Sequence, residues 1–225
     1  MHGRSTDGLG GSRFLGYLQT HDQIGNRARG ERSADLLSVD RLLVGAALVL
    51  TSPFVPMLFQ GEEWGASTPF PYFADHQDRD LAAAVRAGRL REFVAFGWAP
   101  DDVLDPEDVS TFLAAKLAWA ELDTRCHDEV LRWHRSLIAL RRREPDLTSG
   151  RLEQVEALAD DEHRTLVVRR GSLVVAANLG APGPVGLPGP AVLLLASRPA
   201  ETLVDAGAVH LGSDSVAVLR RKDAR

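Results

Sequence analysis

The sequence predicts an α/β region followed by an all-β region, and three observations support this fold class. An apolar strand at 14–18, a helical pattern over 34–50 and a second apolar run at 54–61 follow one another. Both runs are continuously apolar, which is typical of parallel strands that are buried on both faces. Beyond residue 150, short β-branched runs alternate with Gly, Pro and Asp, a pattern that predicts a small antiparallel sheet or sandwich.

Three further helices are predicted between these regions, over 79–96, 110–122 and 127–143. Apolar residues recur in them at helical spacing, and Pro145 ends the last one. We therefore expect a domain boundary close to residue 148, with an α/β part over 1–148 and an antiparallel β-domain over 149–225.

Composition narrows the possible functions and locations. The chain has 225 residues and a formal net charge of −5, which argues against nucleic acid as a partner because phosphate binding favours a basic surface. Pro53 and Pro56 break the longest apolar run, so no membrane span is expected. Cys126 is the single cysteine, and the first residues lack an apolar signal core, so we expect a cytoplasmic protein. The spacing of histidine, cysteine and acidic residues predicts neither a metal nor a cofactor.

Polar side chains follow each of the two apolar strands. His21 and Asp22 come after the first strand, and Glu62, Glu63 and Trp64 come after the second. Functional groups collect at the carboxyl ends of parallel strands, and carboxylate oxygens are good acceptors for the hydroxyl groups of sugars. The alternative for Asp22 is a local role, in which its carboxylate caps backbone amides of its own loop.

Three longer segments resemble a known family. The first, "LQTHDQIGNRARGER", resembles the fourth signature region of the α-amylase superfamily, in which a strand ends in His-Asp. Together with "PMLFQGEEWGASTPFPYFADH" and "RLREFVAF", it resembles the malto-oligosyltrehalose trehalohydrolases of glycoside hydrolase family 13, from about residue 10 to the end of the chain. The resemblance implies the last two β/α units of a (β/α)8 barrel, carrying its seventh and eighth strands, followed by a small antiparallel β-domain.

The resemblance also implies an activity and a set of site residues. Enzymes of this family are glycosidases that hydrolyse the α-1,4-glucosidic bond next to the terminal trehalose of a maltooligosyltrehalose and release trehalose. Asp22 matches the carboxylate that stabilises the transition state, and His21 matches a histidine that holds the same sugar. The residues expected to complete the substrate site, by shaping the pocket wall or stacking on glucose rings, are Gln23, Asn26, Arg27, Trp64, Tyr72 and Phe73.

The chain is expected to be inactive alone. Retaining glycosidases need a nucleophile and a general acid, which in this family follow the fourth and fifth barrel strands. A barrel takes roughly 250 residues, and too few precede the first strand here to supply those two groups. Replacement by Glu62 or Glu63, or a catalytic role for Asp75 and His76, is disfavoured. The open alternatives are a non-catalytic glucan-binding or regulatory module and a fragment of another glucan enzyme of the superfamily.

Overall fold

A computed structural model of the chain describes residues 5–222, so the first four residues of the predicted amino-terminal loop lie outside it. The described residues form two compact units that alternate along the chain. Unit 1 comprises residues 5–18, 38–57 and 130–222, and unit 2 comprises residues 19–37 and 58–129. The predicted boundary at 148/149 concerns a different division of the chain and stays a prediction.

The regular elements follow the predicted order of strand, helix, strand, helices and then strands. The α-helices are α1 His21–Gly25, α2 Ser33–Leu36, α3 Val39–Leu50, α4 Arg79–Ala95, α5 Val109–Ala114, α6 Arg125–Arg143 and α7 Pro145–Thr148. The β-strands are β1 Leu15–Gly16, β2 Val55–Pro56, β3 Val155–Asp160, β4 Thr165–Arg170, β5 Leu173–Asn178, β6 Gly183–Gly186, β7 Ala191–Ala196, β8 Leu203–Val204, β9 Ala208–Leu211 and β10 Ser215–Arg221.

The strands β1 and β2 of unit 1 pair in parallel, as predicted. Leu15 aligns with Val55, and the backbone N–H of Val55 donates to the carbonyl of Phe14 at 2.9 Å. The predicted burial on both faces is wrong, because Leu15, Tyr17 and Val55 are exposed. Within residues 5–222 this sheet contains only the two strands, so no further strand flanks either of them.

The remaining strands of unit 1 form an antiparallel β-domain, as predicted. One sheet has the order β3-β4-β5-β10-β7, and a second has the order β6-β9-β8. α3 and α6 pack on one face of the larger sheet, and the smaller sheet packs on its other face. The two cores include Leu43, Leu137, Leu173 and Val218 on the helical side, and Val174, Val209 and Leu219 between the sheets.

Two of the predicted helices are divided in the structure. The predicted 34–50 helix is interrupted at residues 37–38, because the Ser38 side chain accepts the N–H of Arg41 and starts α3 as a new helix. The predicted 110–122 helix forms α5 and a separate 3₁₀ helix, Trp119–Asp123. Between them the Ala118 N–H donates to the Thr68 hydroxyl at 3.1 Å, a bond that replaces a helical one.

Candidate functional site

The turn that carries His21 and Asp22 belongs to unit 2 and is held by a capping box. Thr20 is the N-cap of α1, and its hydroxyl accepts the backbone N–H of Asp22 at 3.2 Å. The side-chain oxygen of Gln23 accepts the backbone N–H of Thr20 at 2.8 Å. Because Thr20 and Gln23 satisfy the first amides of α1, the carboxylate of Asp22 is not needed as a local cap.

The carboxylate of Asp22 faces solvent beside the imidazole of His21. Their closest atoms, Oδ1 and Nε2, are 3.2 Å apart, and the two side chains are 75% and 69% exposed respectively. The carboxylate is therefore neither sealed under packed side chains nor bound to the amides of its own turn. Its oxygens are available to a ligand.

His21 and Asp22 form one wall of a cavity of about 380 Å³. The opposite wall is the aromatic segment 70–73, and the complete lining is His21, Asp22, Gly25, Asn26, Phe70, Pro71, Tyr72 and Phe73. The cavity combines one carboxylate, one imidazole and one amide with three aromatic rings. Hydroxyl groups and the apolar faces of a sugar ring need this mixture of partners.

Gly30 brings the two walls together. Its carbonyl accepts the N–H of Phe70 at 2.8 Å, and its φ of +67° lies in the left-handed region. A Cβ at this position would lie 2.2 Å from the backbone nitrogen of Pro71. Only glycine therefore permits both this backbone conformation and this close approach.

Arg89 of α4 supports the same turn, and the sequence analysis did not single it out. Its guanidinium donates to the carbonyl of Gly25 at 2.6 Å and to the side-chain oxygen of Asn26 at 3.2 Å. The same group lies 5.1 Å from the ring centroid of Tyr72 and 4.7 Å from that of Phe93. Arg89 begins the segment "RLREFVAF", so the family resemblance was the available signal for it.

The structure brings together some of the predicted site residues and not others. His21, Asp22, Asn26, Tyr72 and Phe73 line the cavity. The Phe73 ring also packs edge-on against Phe70 and Phe112, with centroids 5.7 and 5.2 Å away.

Gln23, Arg27 and Trp64 lie outside the cavity lining. The oxygen of Gln23 caps α1, and Arg27 pairs with Glu31 at 3.3 Å. Trp64 is only 1% exposed, and its ring centroid lies 5.0 Å from that of Trp119. A ring so buried presents no face to a sugar.

The other acidic candidates do not reach this cavity. Glu62 is buried, and desolvation raises its pKa to about 7. The His76 Nδ1 lies 2.6 Å from a carboxylate oxygen of Glu107, so that imidazole anchors a loop. Asp22 is the one carboxylate in the cavity lining. Across residues 5–222, no three or more His, Cys, Asp or Glu side chains converge as metal ligands would.

Comparison with solved structures defines the class of protein. A putative α-amylase from Salmonella typhimurium matches with a TM-score of 0.79 and 34% identity, over 95% of this chain and 36% of that one. An α-amylase from H. orenii matches with a TM-score of 0.57 and 17% identity, over 92% of this chain and 40% of that one, and shows the fold alone. The chain has the fold of the last two β/α units of an α-amylase-type barrel with its small antiparallel β-domain.

Sequence comparison gives the particular family. Proteins named malto-oligosyltrehalose trehalohydrolase match from Mycobacterium tuberculosis (strain H37Rv), at 43% identity over 97% of this chain, and from Brevibacterium helvolum, at 44% over 90%. The chain spans only 38% and 34% of the lengths of these two relatives. A family profile described as "Domain of unknown function (DUF3459)" matches residues 150–218. The resemblance to the malto-oligosyltrehalose trehalohydrolases is confirmed.

No helix within residues 5–222 combines the length and the apolar character that crossing a bilayer requires.

Proposed function

We propose that this chain is part of a glycoside hydrolase that cleaves the α-1,4-glucosidic bond next to the terminal trehalose of a maltooligosyltrehalose and releases trehalose. One observation carries the proposal. In a chain similar to trehalohydrolases, the Asp22 carboxylate is exposed on a cavity wall opposite the aromatic rings of Tyr72 and Phe73. The substrate is accordingly an α-1,4-glucan that carries a trehalose end.

The proposed role of Asp22 is to stabilise the transition state. Glycoside hydrolysis passes through a state that resembles an oxocarbenium ion, in which the sugar carbon becomes positive. A fixed carboxylate offsets that charge and accepts hydrogen bonds from ring hydroxyls that tighten as the charge develops. His21, 3.2 Å from Asp22, is placed to bind the same sugar, and Asn26 can donate to a neighbouring hydroxyl.

The described cavity lacks the other two groups that this chemistry needs. A retaining glycosidase has a nucleophile and a general acid about 5 to 5.5 Å apart, in addition to a carboxylate such as Asp22. Asp22 is the single carboxylate of the lining. We therefore propose that the chain does not turn over substrate by itself and supplies part of the sugar pocket of a longer enzyme.

A non-catalytic glucan-binding module is the less favoured alternative. In such a module the β-domain and the loop aromatics would hold the glucan. The wide groove of about 830 Å³ beside β4 and β5 contains no Trp, Tyr or Phe among its lining residues, all of which are described. We also propose a cytoplasmic location, which is supported by the free, exposed thiol of Cys126.

The test compares the chain alone with a chimera. In the chimera, this chain replaces the matching 38% of the M. tuberculosis relative, whose remaining part supplies the rest of the enzyme. We expect trehalose release from maltotriosyltrehalose by the chimera and none by the chain alone. The substitution Asp22→Asn in the chimera should lower kcat by about 10²- to 10³-fold, because a neutral amide cannot offset the developing charge.

Asp161→Asn is the matched control, because Asp161 is an exposed carboxylate in the turn between β3 and β4. This variant should keep the rate of the unsubstituted chimera. A chimera that releases trehalose equally well with Asp22→Asn would overturn the assignment of Asp22. Tight binding of maltoheptaose by the chain alone, unaffected by Asp22→Asn, would favour the glucan-binding alternative.

A further inference from the structure

Arg89 of α4 contacts both walls of the cavity of about 380 Å³. On one wall its guanidinium donates to the side-chain oxygen of Asn26 at 3.2 Å and to the carbonyl of Gly25 at 2.6 Å. On the other wall it lies over the ring of Tyr72, with its Cζ 5.1 Å from the ring centroid. Asn26 and Tyr72 are both lining residues of the cavity. A single cation therefore fixes one lining side chain on each wall.

The contact with Arg89 determines which way the Asn26 side-chain amide points. A guanidinium carries only hydrogen-bond donors, so the atom of Asn26 that it meets is the oxygen. The N–H₂ end of the amide is then the part that is left for a ligand. The backbone N–H of Asn26 donates to the carbonyl of Asp22 at 3.1 Å, so this amide belongs to the same turn as the Asp22 carboxylate.

The two groups on this wall are complementary in their hydrogen bonding. The Asp22 carboxylate only accepts hydrogen bonds, whereas the outward N–H₂ of Asn26 only donates them. One hydroxyl of a sugar can therefore donate to Asp22 while its neighbour accepts from Asn26. An Asn26 amide turned the other way would add a second acceptor beside Asp22 and would leave that neighbouring hydroxyl without a donor.

The Arg89 side chain is itself held firmly. It is only 16% exposed, and its Cζ lies 4.7 Å from the ring centroid of Phe93, a buried residue of the same helix. The Glu92 carboxylate lies 3.5 Å from its Nη1. Because Arg89 covers one face of Tyr72, only the opposite face of that ring can stack on a sugar.

We propose that Arg89 is a positioning residue that sets the hydrogen-bonding specificity of this cavity. It holds the oxygen of Asn26, so that Asn26 presents its N–H₂ to a sugar hydroxyl beside the one that Asp22 binds. Arg89 acts through Asn26 and does not touch the sugar. The orientation of Asn26 is a property of this chain alone, and only its effect on sugar binding rests on the proposed function.

Nuclear magnetic resonance of the ¹⁵N-labelled chain, without sugar, tests the orientation. We expect the side-chain amide nitrogen of Asn26 to be rigid, with an order parameter of about 0.8. In Arg89→Lys it should fall below about 0.6, because a lysine ammonium lacks the planar fork that bonds two acceptors at once. Arg91→Lys is the matched control, since Arg91 is an exposed arginine of the same helix, and this variant should keep the native order parameter.

A second measurement needs no variant. In the native chain a fixed guanidinium should give separate signals for the Nη1 and Nη2 groups of Arg89, because rotation about its Cζ–Nε bond is slowed. Averaged signals for these groups, a mobile Asn26 amide in the native chain, or an Asn26 amide that stays rigid in Arg89→Lys would each overturn the proposal.

Kinetics of the chimera test the consequence for the sugar. Asn26→Asp keeps an oxygen that accepts from Arg89 but has no N–H to donate, so its stability in urea should not fall. Its KM for maltotriosyltrehalose should nevertheless rise about tenfold, the effect of losing one hydrogen bond. Arg89→Lys should likewise raise KM about tenfold with kcat changed by less than about twofold, because this bond is made equally in the ground state and the transition state. Arg91→Lys should leave both constants unchanged.

A native KM in Asn26→Asp would overturn the donor role of Asn26, because a purely structural contact with Arg89 survives in that variant. A chimera without trehalose release would contradict the proposed hydrolase function, and the resonance measurements on the chain alone would still decide whether Arg89 orients Asn26.

Discussion

The buried carboxyl of Glu62 makes the stability of the chain depend on pH. Its pKa rises from 4.5 to about 7 because desolvation penalises the charged form, against the smaller opposing effects of the hydrogen bond from the Phe59 N–H and of other nearby groups. Between these two pH values the unfolded chain loses a proton that the folded chain keeps. The free energy of unfolding therefore falls as pH rises from 4.5 to about 7. Above about pH 7 the full loss of stability caused by burying the Glu62 carboxylate is reached.

Between pH 4.5 and 8 the chain should lose up to about 3 kcal/mol of stability through Glu62, a loss that Glu62→Gln should remove. Urea unfolding of the two proteins at several pH values measures the difference. Glu63→Gln, which changes the adjacent carboxylate, should follow the native chain, and parallel pH curves for the native chain and Glu62→Gln would contradict the prediction.

At single residues, exposure was easier to predict from the sequence than side-chain packing. The pair His21–Asp22 was predicted from the polar residues that directly follow an apolar strand, and this signal is local in sequence. Both side chains are exposed in the structure. Trp64 was predicted to stack on glucose, but burial of an aromatic ring depends on distant partners, here Trp119. Arg89 was missed as an individual residue because its partners, Gly25 and Tyr72, are far from it in sequence.

At the scale of secondary-structure elements, the order of the strands and helices could be predicted from the sequence, but their lengths could not. Apolar runs predicted where β1 and β2 lie and that they are parallel, yet each pairs over only two residues. Pairing depends on neighbouring strands, whereas the apolar pattern records only the side chains of one strand. The break between α2 and α3 comes from the Ser38 cap, a turn signal inside an otherwise helical apolar pattern.

The turn after α1 contacts the aromatic segment 70–73 at Gly30, whose carbonyl accepts the N–H of Phe70. Gly30→Ala would place a Cβ 2.2 Å from Pro71 and force a residue with a side chain into a φ of +67°. Backbone atoms cannot move aside cheaply, so we expect a loss of about 2 kcal/mol or more, measured by urea unfolding.

Gly88→Ala is the matched control for this substitution. Gly88 lies within α4, and a Cβ there would meet nothing within 4 Å. Alanine favours a helix by about 1 kcal/mol over glycine, so this variant should be slightly more stable than the native chain. Equal effects of the two alanines would show that segment 70–73 is not held against Gly30.

At the scale of the whole molecule, the fold class was predictable because the two halves of the pattern differ in kind. Continuously apolar strands around a helix indicate an α/β region, and short β-branched runs with frequent turns indicate an antiparallel one. The β-domain is also the part in which the sequence alone gave least information about function. Its residues are used mainly for two cores on either face of a five-stranded sheet.

We expect the exposed parallel pair to make the chain prone to association. β1 and β2 form a two-stranded sheet within the described residues, with Leu15, Tyr17 and Val55 exposed beside it. A short open sheet of this kind leaves backbone N–H and C=O groups and apolar side chains available to another strand. We therefore expect the chain to self-associate at micromolar concentrations, observed as a concentration-dependent weight-average mass in sedimentation equilibrium.

A lysine at the strand should suppress this association, because a charged side chain disfavours pairing at a sheet edge. Leu15→Lys should shift the apparent dissociation constant upward by about tenfold or more. Val109→Lys is the matched control, since Val109 is 68% exposed on α5 and not on a strand, and this variant should associate as the native chain does. A native chain that sediments as a monomer at every concentration would contradict the prediction and show that these two strands need no partner. If both lysine variants suppress self-association equally, the cause is net charge and not the edge of this sheet.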